Sequence, residues 1–131
     1  MHAETLTLLT PLGSARTVKT PAATMRTLTS PTSAPAMPVA IWRTDLPASA
    51  TGPEHAIDTD QFVVVLSGTL DVRIADVDHR VAEGDGIKLP AGATRVIRSA
   101  DGKPASTLTI GGADARATVG DNAPVPVPWT A

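Results

Sequence analysis

The sequence contains no cysteine and no tyrosine, and aromatic residues make up only 2% of its 131 residues. Without cysteine, a disulfide framework, a cysteine-based zinc site and thiol catalysis are excluded. A net charge of -2 provides no basic field for nucleic acid. No apolar run approaches membrane-spanning length, and the apolar patch near the N-terminus has no Lys or Arg before Glu4, as a signal peptide requires. These absences predict a cytoplasmic protein without nucleic-acid or membrane partners.

The three aromatic residues are Trp42, Phe62 and Trp129, so the core must be built from Val, Leu, Ile and Ala. Twelve prolines and ten glycines favour many turns and disfavour long helices. The length suits one domain with a core of its own. We therefore predict a single all-β domain over residues 1–131, with an N-terminal arm at 1–14 and a proline-rich tail at 121–131.

Short strands are predicted on both sides of the central region. The runs 15–20 and 24–30 are bounded by prolines, and 39–46 and 105–112 are rich in β-branched and apolar residues. In the run 39–46 the charged residues fall on one face, so we expect Trp42, on the other face, to point inward. The tail resembles a polyproline segment whose Trp129 could pack across a barrel mouth or a dimer seam.

Two glycine-punctuated segments organise the chain. Residues 53–68 read PEHAIDTDQFVVVLSG and residues 84–99 read GDGIKLPAGATRVIRS. Between them, residues 69–74 alternate polar and apolar side chains, which is typical of a strand with one buried face. The intervening length suits one hairpin.

The first segment resembles the first motif of the cupin superfamily, in which His-x-His is followed by Glu and, six residues later, by Gly. Here His55, Ile57, Gln61 and Gly68 stand at those places. The glycine framework is kept, but only one of the three side chains with ligand character remains.

The second segment resembles the second cupin motif, which runs from Gly through Pro-x-Gly to His and Asn. Here Gly84, Pro90, Gly92, Arg95 and Ser99 occupy the corresponding places. The resemblance implies an antiparallel β-barrel, also described as a double-stranded β-helix or jelly roll. It also implies a homodimer, since N-terminal strands of small cupins often cross to a partner subunit.

In metal-binding cupins the two His, the Glu and the later His hold one divalent ion. Replacement by Ile57, Gln61 and Arg95 leaves only His55, and a permanent cation repels a metal. One imidazole and one amide fall short of the three or four protein ligands of such sites. We expect no metal cofactor; the alternative is an atypical divalent site at His55, completed by Asp58 or Asp60.

Strand parity predicts that both motifs direct their odd-numbered side chains into the barrel. His55, Gln61 and Arg95 would then form a polar trio, which we interpret as the catalytic group. The same faces supply the expected substrate-binding residues, which are Trp42, Ile57, Val63, Ile97 and Ser99.

Two interpretations of the trio are open at this point. His55 is either a general base or a remnant of the metal site that is hydrogen-bonded to Gln61. Arg95 either binds an anionic group or forms an ion pair with Asp58 or Asp60, or it turns out to solvent. Gln61 either orients the substrate or links strands.

The resemblance implies a cupin acting on a small molecule. We expect a metal-independent isomerase, cyclase or epimerase that transfers protons on a small organic acid or metabolite intermediate. The alternatives are a non-catalytic cupin that binds a small ligand and a metal-dependent dioxygenase or isomerase. The Ala-, Thr-, Val- and Pro-rich composition is typical of a bacterium with high GC content.

Overall fold

The computed structural model describes residues 8–34 and 37–130. Apart from a short 3-10 turn at Leu12–Ser14, its regular structure consists of strands. The strands are β1 (Arg16–Lys19), β2 (Thr24–Thr29), β3 (Ala40–Leu46), β4 (Ala56–Ile57), β5 (Gln61–Ser67), β6 (Leu70–Ile74), β7 (Val77–Val81), β8 (Gly86–Leu89), β9 (Arg95–Ser99), β10 (Ala105–Gly111), β11 (Arg116–Thr118) and β12 (Val125–Pro126). Within these ranges no helix is long and apolar enough to cross a bilayer.

The strands form two layers with antiparallel pairing throughout. One layer is a six-stranded sheet in the order β1-β2-β3-β10-β5-β8. The other contains β7-β6-β9 and β12-β11-β4. Isolated bridges from Thr51 to Arg98 and from His55 to Arg95 connect β9 to the segment that leads into β4. The predicted all-β, cupin-type jelly roll is confirmed.

The alternation of side chains along the strands produces this layering. In β5 the buried residues Gln61, Val63 and Val65 alternate with the more exposed Phe62 and Val64. Because successive side chains of a strand point to opposite faces, one face of each strand supplies the interior. The same period places Trp42 inward on β3, as the sequence predicts.

Gly68 and Gly92 end strand segments with a φ of 77° each, so the predicted turns are confirmed. At Gly68 a side chain is also excluded by space, since a Cβ there would lie 2.5 Å from the Pro104 carbonyl oxygen. Gly68 thus allows the β5–β6 turn to pack directly against the start of β10.

An aliphatic cluster packs between the layers and includes Leu46, Val63, Val65, Leu70 and Leu89. Some of its members, such as Leu46 and Val63, also line an open cavity. The core therefore forms the floor of a space that the same two layers leave unfilled.

The tail differs from the expected polyproline segment. Two residues of β12 pair with β11, and the backbone N–H of Val127 donates to the Ala115 carbonyl. Trp129 packs against clusters on both sides of the interior, in agreement with the expected position across the barrel mouth. Of the expected N-terminal arm, residues 1–7 lie outside the described residues.

Candidate active site

A cavity of about 640 Å³ opens between the two layers. Its walls come from the inner face of the large sheet, from residues 49–53 and from the tail. Among the described residues that line it there is no Asp, Glu, Lys or Arg. Its volume lies within the range of small-molecule sites, and the walls are mostly apolar with a few polar groups, as is usual for such sites.

His55 and Arg95 face each other across the bridge that joins the two motif segments. The N–H of His55 donates to the Arg95 carbonyl at 3.0 Å, and the N–H of Arg95 donates to the His55 carbonyl at 2.8 Å. Residues directly opposite each other in an antiparallel pair point to the same face. Since His55 lines the cavity, both side chains are directed to the inner face.

The Pro53 carbonyl sets the tautomer of His55. Nδ1 lies 2.9 Å from the Pro53 oxygen, and because a carbonyl can only accept, Nδ1 carries the proton. Burial lowers the pKa of His55 below its ordinary value, and the nearby Arg95 charge lowers it further, against the opposing hydrogen bond. The imidazole is therefore neutral near pH 7, with the lone pair on Nε2.

Arg95 is the largest fully buried side chain, with 1% exposure. Nη2 donates to the Pro90 carbonyl at 2.8 Å, while Nε and Nη1 have no hydrogen-bond partner in the described part of the chain. Burial lowers the pKa of Arg95, but a guanidinium keeps its charge in a protein. The interior thus contains a cation with three unsatisfied N–H groups.

Neither structural alternative for Arg95 is found. Asp58 accepts from the backbone N–H of Arg116, and Asp60 accepts from that of Ala91 and pairs with Lys88. The side chain does not reach solvent. The predicted trio also needs correction, because Arg95 is not among the cavity-lining residues: its hydrogen bond to the loop after β8 holds it behind the wall.

Gln61 lines the cavity and lies across Gly111, its neighbour on β10. A Cβ at position 111 would lie 3.1 Å from Cγ of Gln61 and 3.4 Å from Cη2 of Trp42. The missing side chain thus leaves room for both. In the described part of the chain the amide of Gln61 makes no hydrogen bond to His55, whose Nδ1 is bonded to Pro53, so the alternative in which His55 is an idle partner of Gln61 is not found.

The remaining expected substrate-binding residues divide into two groups. Ser99 lies away from the cavity: its hydroxyl accepts from the N–H of Ala50 at 2.9 Å and donates to the Pro47 carbonyl at 2.8 Å. Those that line the cavity are Trp42, Ile57, Val63 and Ile97.

Sequence reasoning did not assign Thr107 or Thr109 to the cavity, although both line it. The two threonines alternate along β10, and this period could have placed them on the inner face. No pattern in the sequence places the tail against β11.

The four positions that hold a metal in other cupins do not fit one here. Among the described residues no group of three His, Cys, Asp or Glu side chains comes together. In addition, the buried charge of Arg95 lies opposite His55 and would oppose a divalent cation at that position. No step of the chemistry is assigned to a metal.

Three comparisons with known proteins are informative. The protein is similar in structure to oxalate decarboxylase from Bacillus subtilis, with a TM-score of 0.72 and 17% identity, over 85% of this chain and 30% of that one. It is similar to a polyketide cyclase from Streptomyces resistomycificus, with a TM-score of 0.69 and 18% identity, over 82% and 80% of the two chains. It is also similar to a sugar phosphate isomerase from Silicibacter pomeroyi, with a TM-score of 0.60 and 21% identity, over 75% of this chain and 66% of that one.

At these identities the structural likeness shows the fold alone, and this chain spans less than a third of the decarboxylase. The search among curated proteins found no matching sequence. The family model described as the cupin domain matches residues 42–122. This range includes both motif segments and β10, which lies between β3 and β5 in the large sheet. The chain belongs to the cupin family.

Proposed function

We propose that the protein is a metal-independent enzyme that transfers a proton on a small organic molecule, as an isomerase, cyclase or epimerase does. The observation that supports this proposal is the state of His55. Its Nδ1–H is held by a backbone carbonyl and its lowered pKa keeps Nε2 unprotonated, on the wall of an apolar cavity. This is the state that a general base requires.

In the proposed reaction Nε2 of His55 removes a proton from a carbon next to a carbonyl group. The electron pair moves into the carbonyl, whose oxygen becomes negatively charged, and His55 becomes an imidazolium. Return of the proton to the other face of the same carbon gives the epimer, and its return to another carbon gives the isomer. For ring closure the enolate carbon instead attacks a second carbonyl group of the substrate, and the imidazolium returns the proton to the oxygen of that group. Atoms and charge balance without a co-reactant.

Arg95 stabilises the negative oxygen in this proposal. A cation without a counter-ion produces a strong positive potential in a medium of low dielectric constant. Stabilisation of charge that develops in the transition state is a large contribution to catalysis. Arg95 acts from behind the wall, while Gln61 supplies a neutral amide inside the cavity to orient the substrate.

The lack of charged side chains among the described wall residues favours a mainly apolar substrate. A phosphate group requires cationic or backbone donors, and no Lys or Arg is among the described residues that line this cavity. The likeness to a polyketide cyclase therefore supports the proposal better than the likeness to a sugar phosphate isomerase. The small organic acid expected from the sequence would find only Arg95 as a charged partner.

Proton exchange tests the proposal. 2-Tetralone is an enolisable ketone with an apolar body, and its C1 protons exchange with deuterium oxide at a rate that NMR measures. We expect the protein to accelerate this exchange above the buffer rate. His55→Gln should reduce the protein-catalysed rate by about 10²- to 10⁴-fold. His79→Gln, at an exposed position on β7, is the matched control and should leave it unchanged.

Equal rates for the two variants, or no acceleration by the wild type, would contradict general-base catalysis. A non-catalytic binder would then be favoured, because His55 is the only titratable group among the described lining residues. Saturable binding of the ketone without exchange would identify that second function.

A further inference from the structure

Both tryptophans of the chain line the cavity, although the chain has only three aromatic residues. Trp42 comes from β3 and is 4% exposed, whereas Trp129 comes from the tail. The aliphatic core cluster beneath them contains no aromatic side chain. The two indoles therefore reach one cavity from separate elements, beside an aliphatic cluster that is packed without aromatics.

Trp129 is fixed in place by its own backbone. Its carbonyl accepts a hydrogen bond from the hydroxyl of Thr27 on β2. Its ring packs against the cluster of Met25, Ala40 and Trp42 and against that of Ile57, Ala115 and Val127. This anchorage makes the indole a preorganised part of the wall.

The indole N–H groups have no protein acceptor. In the described part of the chain neither one donates a hydrogen bond, and neither is among the fully enclosed unpartnered atoms. A tryptophan N–H usually finds a partner when the ring is buried. Both donors are thus unpaired in the described part of the chain without being fully enclosed by protein.

A polar group lies beside the Trp42 ring. The Gly111 gap brings Cη2 of Trp42 and Nε2 of Gln61 to within 3.4 and 3.5 Å of one point. The amide is therefore placed next to the edge of the indole. A flat ligand resting on this wall would offer its own edge, and any oxygen there, to the amide.

We propose that the ligand is a flat, uncharged, conjugated ring system that bears oxygen and is held by Trp42 and Trp129. Aromatic side chains prefer stacked or edge-to-face contact with other π-systems. Among the described residues no charged side chain lies in the walls to pair directly with an ionic ligand, while the indole and amide groups match ring-borne hydroxyl or carbonyl oxygens. This inference rests on the proposed function only in using the same cavity.

The test compares three probes: 1-naphthol, which is flat and neutral; decahydro-1-naphthol, which has the same skeleton without planarity; and glucose 6-phosphate. The full chain is labelled with ¹⁵N, and its two indole N–H signals are assigned from Trp42→Phe and Trp129→Phe. We expect 1-naphthol to shift both signals saturably and to bind about tenfold more tightly than the decahydro compound. Glucose 6-phosphate should not bind.

Trp42→Leu and Trp129→Leu should each weaken the binding of 1-naphthol about tenfold without changing that of the decahydro compound. The Phe variants should retain most of the affinity. Phe62→Leu removes the third aromatic residue, on the outer face, and serves as the matched control. Because the signals of the wild type already report binding, a variant that fails to fold does not remove the test.

Equal affinity for the flat and saturated probes, a shift of only one indole signal, or tighter binding of glucose 6-phosphate would overturn the proposal. The proposed function is separable from it. Naphthol binding and 2-tetralone exchange are measured separately on the wild type, so binding of 1-naphthol by both indoles without proton exchange would contradict the catalysis alone. Retained exchange without a preference for planar probes would contradict only the ligand class.

Discussion

Ser99 and Arg95 lie four residues apart on the same strand, and both are buried polar side chains, yet their surroundings differ completely. The hydroxyl of Ser99 accepts one hydrogen bond and donates another. The guanidinium of Arg95 has one acceptor and two nitrogens without any. A fully satisfied polar group stabilises a fold, whereas an unsatisfied charge costs free energy that the fold alone does not explain. The difference supports the proposal that Ser99 is a structural residue and Arg95 a functional one.

Replacement of Arg95 gives the largest expected effect. Arg95→Met removes a buried charge and keeps an apolar chain of similar length. We expect the free energy of unfolding to rise by about 1–4 kcal/mol. The protein-catalysed exchange of 2-tetralone should fall by about 10²- to 10³-fold, because the negative oxygen loses its stabilisation. Urea denaturation and NMR exchange rates measure the two quantities.

Arg95→Lys is the control for charge, since it keeps the cation without the planar fork. It should recover part of the exchange rate and lose the gain in stability. A destabilised Arg95→Met variant would mean that Arg95 is structural and that the contrast with Ser99 does not hold.

The opposite result is expected at Ser99. Ser99→Ala leaves the N–H of Ala50 and the carbonyl of Pro47 without their partner, at a cost of about 1–3 kcal/mol in the free energy of unfolding. The affinity for 1-naphthol should not change, because Ser99 is not in the cavity wall. Urea denaturation and probe titration of the same preparation check both expectations. A loss of affinity with unchanged stability would restore Ser99 to the binding site.

A smaller effect is expected on the pH dependence of the free energy of unfolding, which tests the electrostatic part of the comparison between Arg95 and Ser99. The pKa of His55 is lower in the folded protein than its ordinary value of 6.5. Between the two values the unfolded chain binds more protons, so the stability contribution is complete above about pH 6.5 and is lost as pH falls through the folded pKa. Arg95→Met should reduce this dependence, since it removes one cause of the low pKa.

The measurement is urea denaturation from pH 7.5 to pH 5, with His55→Gln as the reference without a titrating group. A wild-type slope equal to that of His55→Gln would show that the environment of His55 does not shift its pKa.

Metal removal should have the smallest effect. Dialysis of the purified protein against EDTA should leave its melting temperature and its 2-tetralone exchange unchanged, because the charge of Arg95 opposes a divalent ion next to His55. Elemental analysis that finds about one equivalent of zinc, iron or manganese, lost on His55→Ala, would contradict this expectation. Asp58 or Asp60 would then become candidate ligands.

Composition and turn residues predicted the all-β class, and the resemblance of the two motif segments to those of cupins implied the jelly roll. The glycines and prolines of the two motif segments fixed the turns, and the period of two placed Trp42, His55 and Gln61 on inner faces. These features depend on residues that are close together in the sequence, so hydrophobic periodicity and turn residues are enough to predict them. The expected homodimer stays a prediction.

The candidate site was harder to predict from the sequence. Strand parity shows which face of the sheet a side chain lies on, but not whether that side chain reaches the cavity wall. Arg95 points inward, yet its hydrogen bond to Pro90 keeps it behind the wall. Ser99 shares that face and is engaged by the loop that contains Ala50. The first contact is only five residues long, but the sequence does not show that the Arg95 side chain turns back to it. The second joins residues 49 apart, which no local pattern encodes.

The position of β10 has a consequence for how the protein folds. β10 lies between β3 and β5 and is the strand through which the two halves of the large sheet are joined. It pairs Thr109 with both Trp42 and Val63, contacts that close loops of many residues. Such non-local pairing is slow because chain entropy is lost before the contacts form. Because Thr107 and Thr109 of β10 form part of the cavity wall, the cavity is complete only when β10 is paired on both sides, and binding of a ligand reports that this pairing has formed.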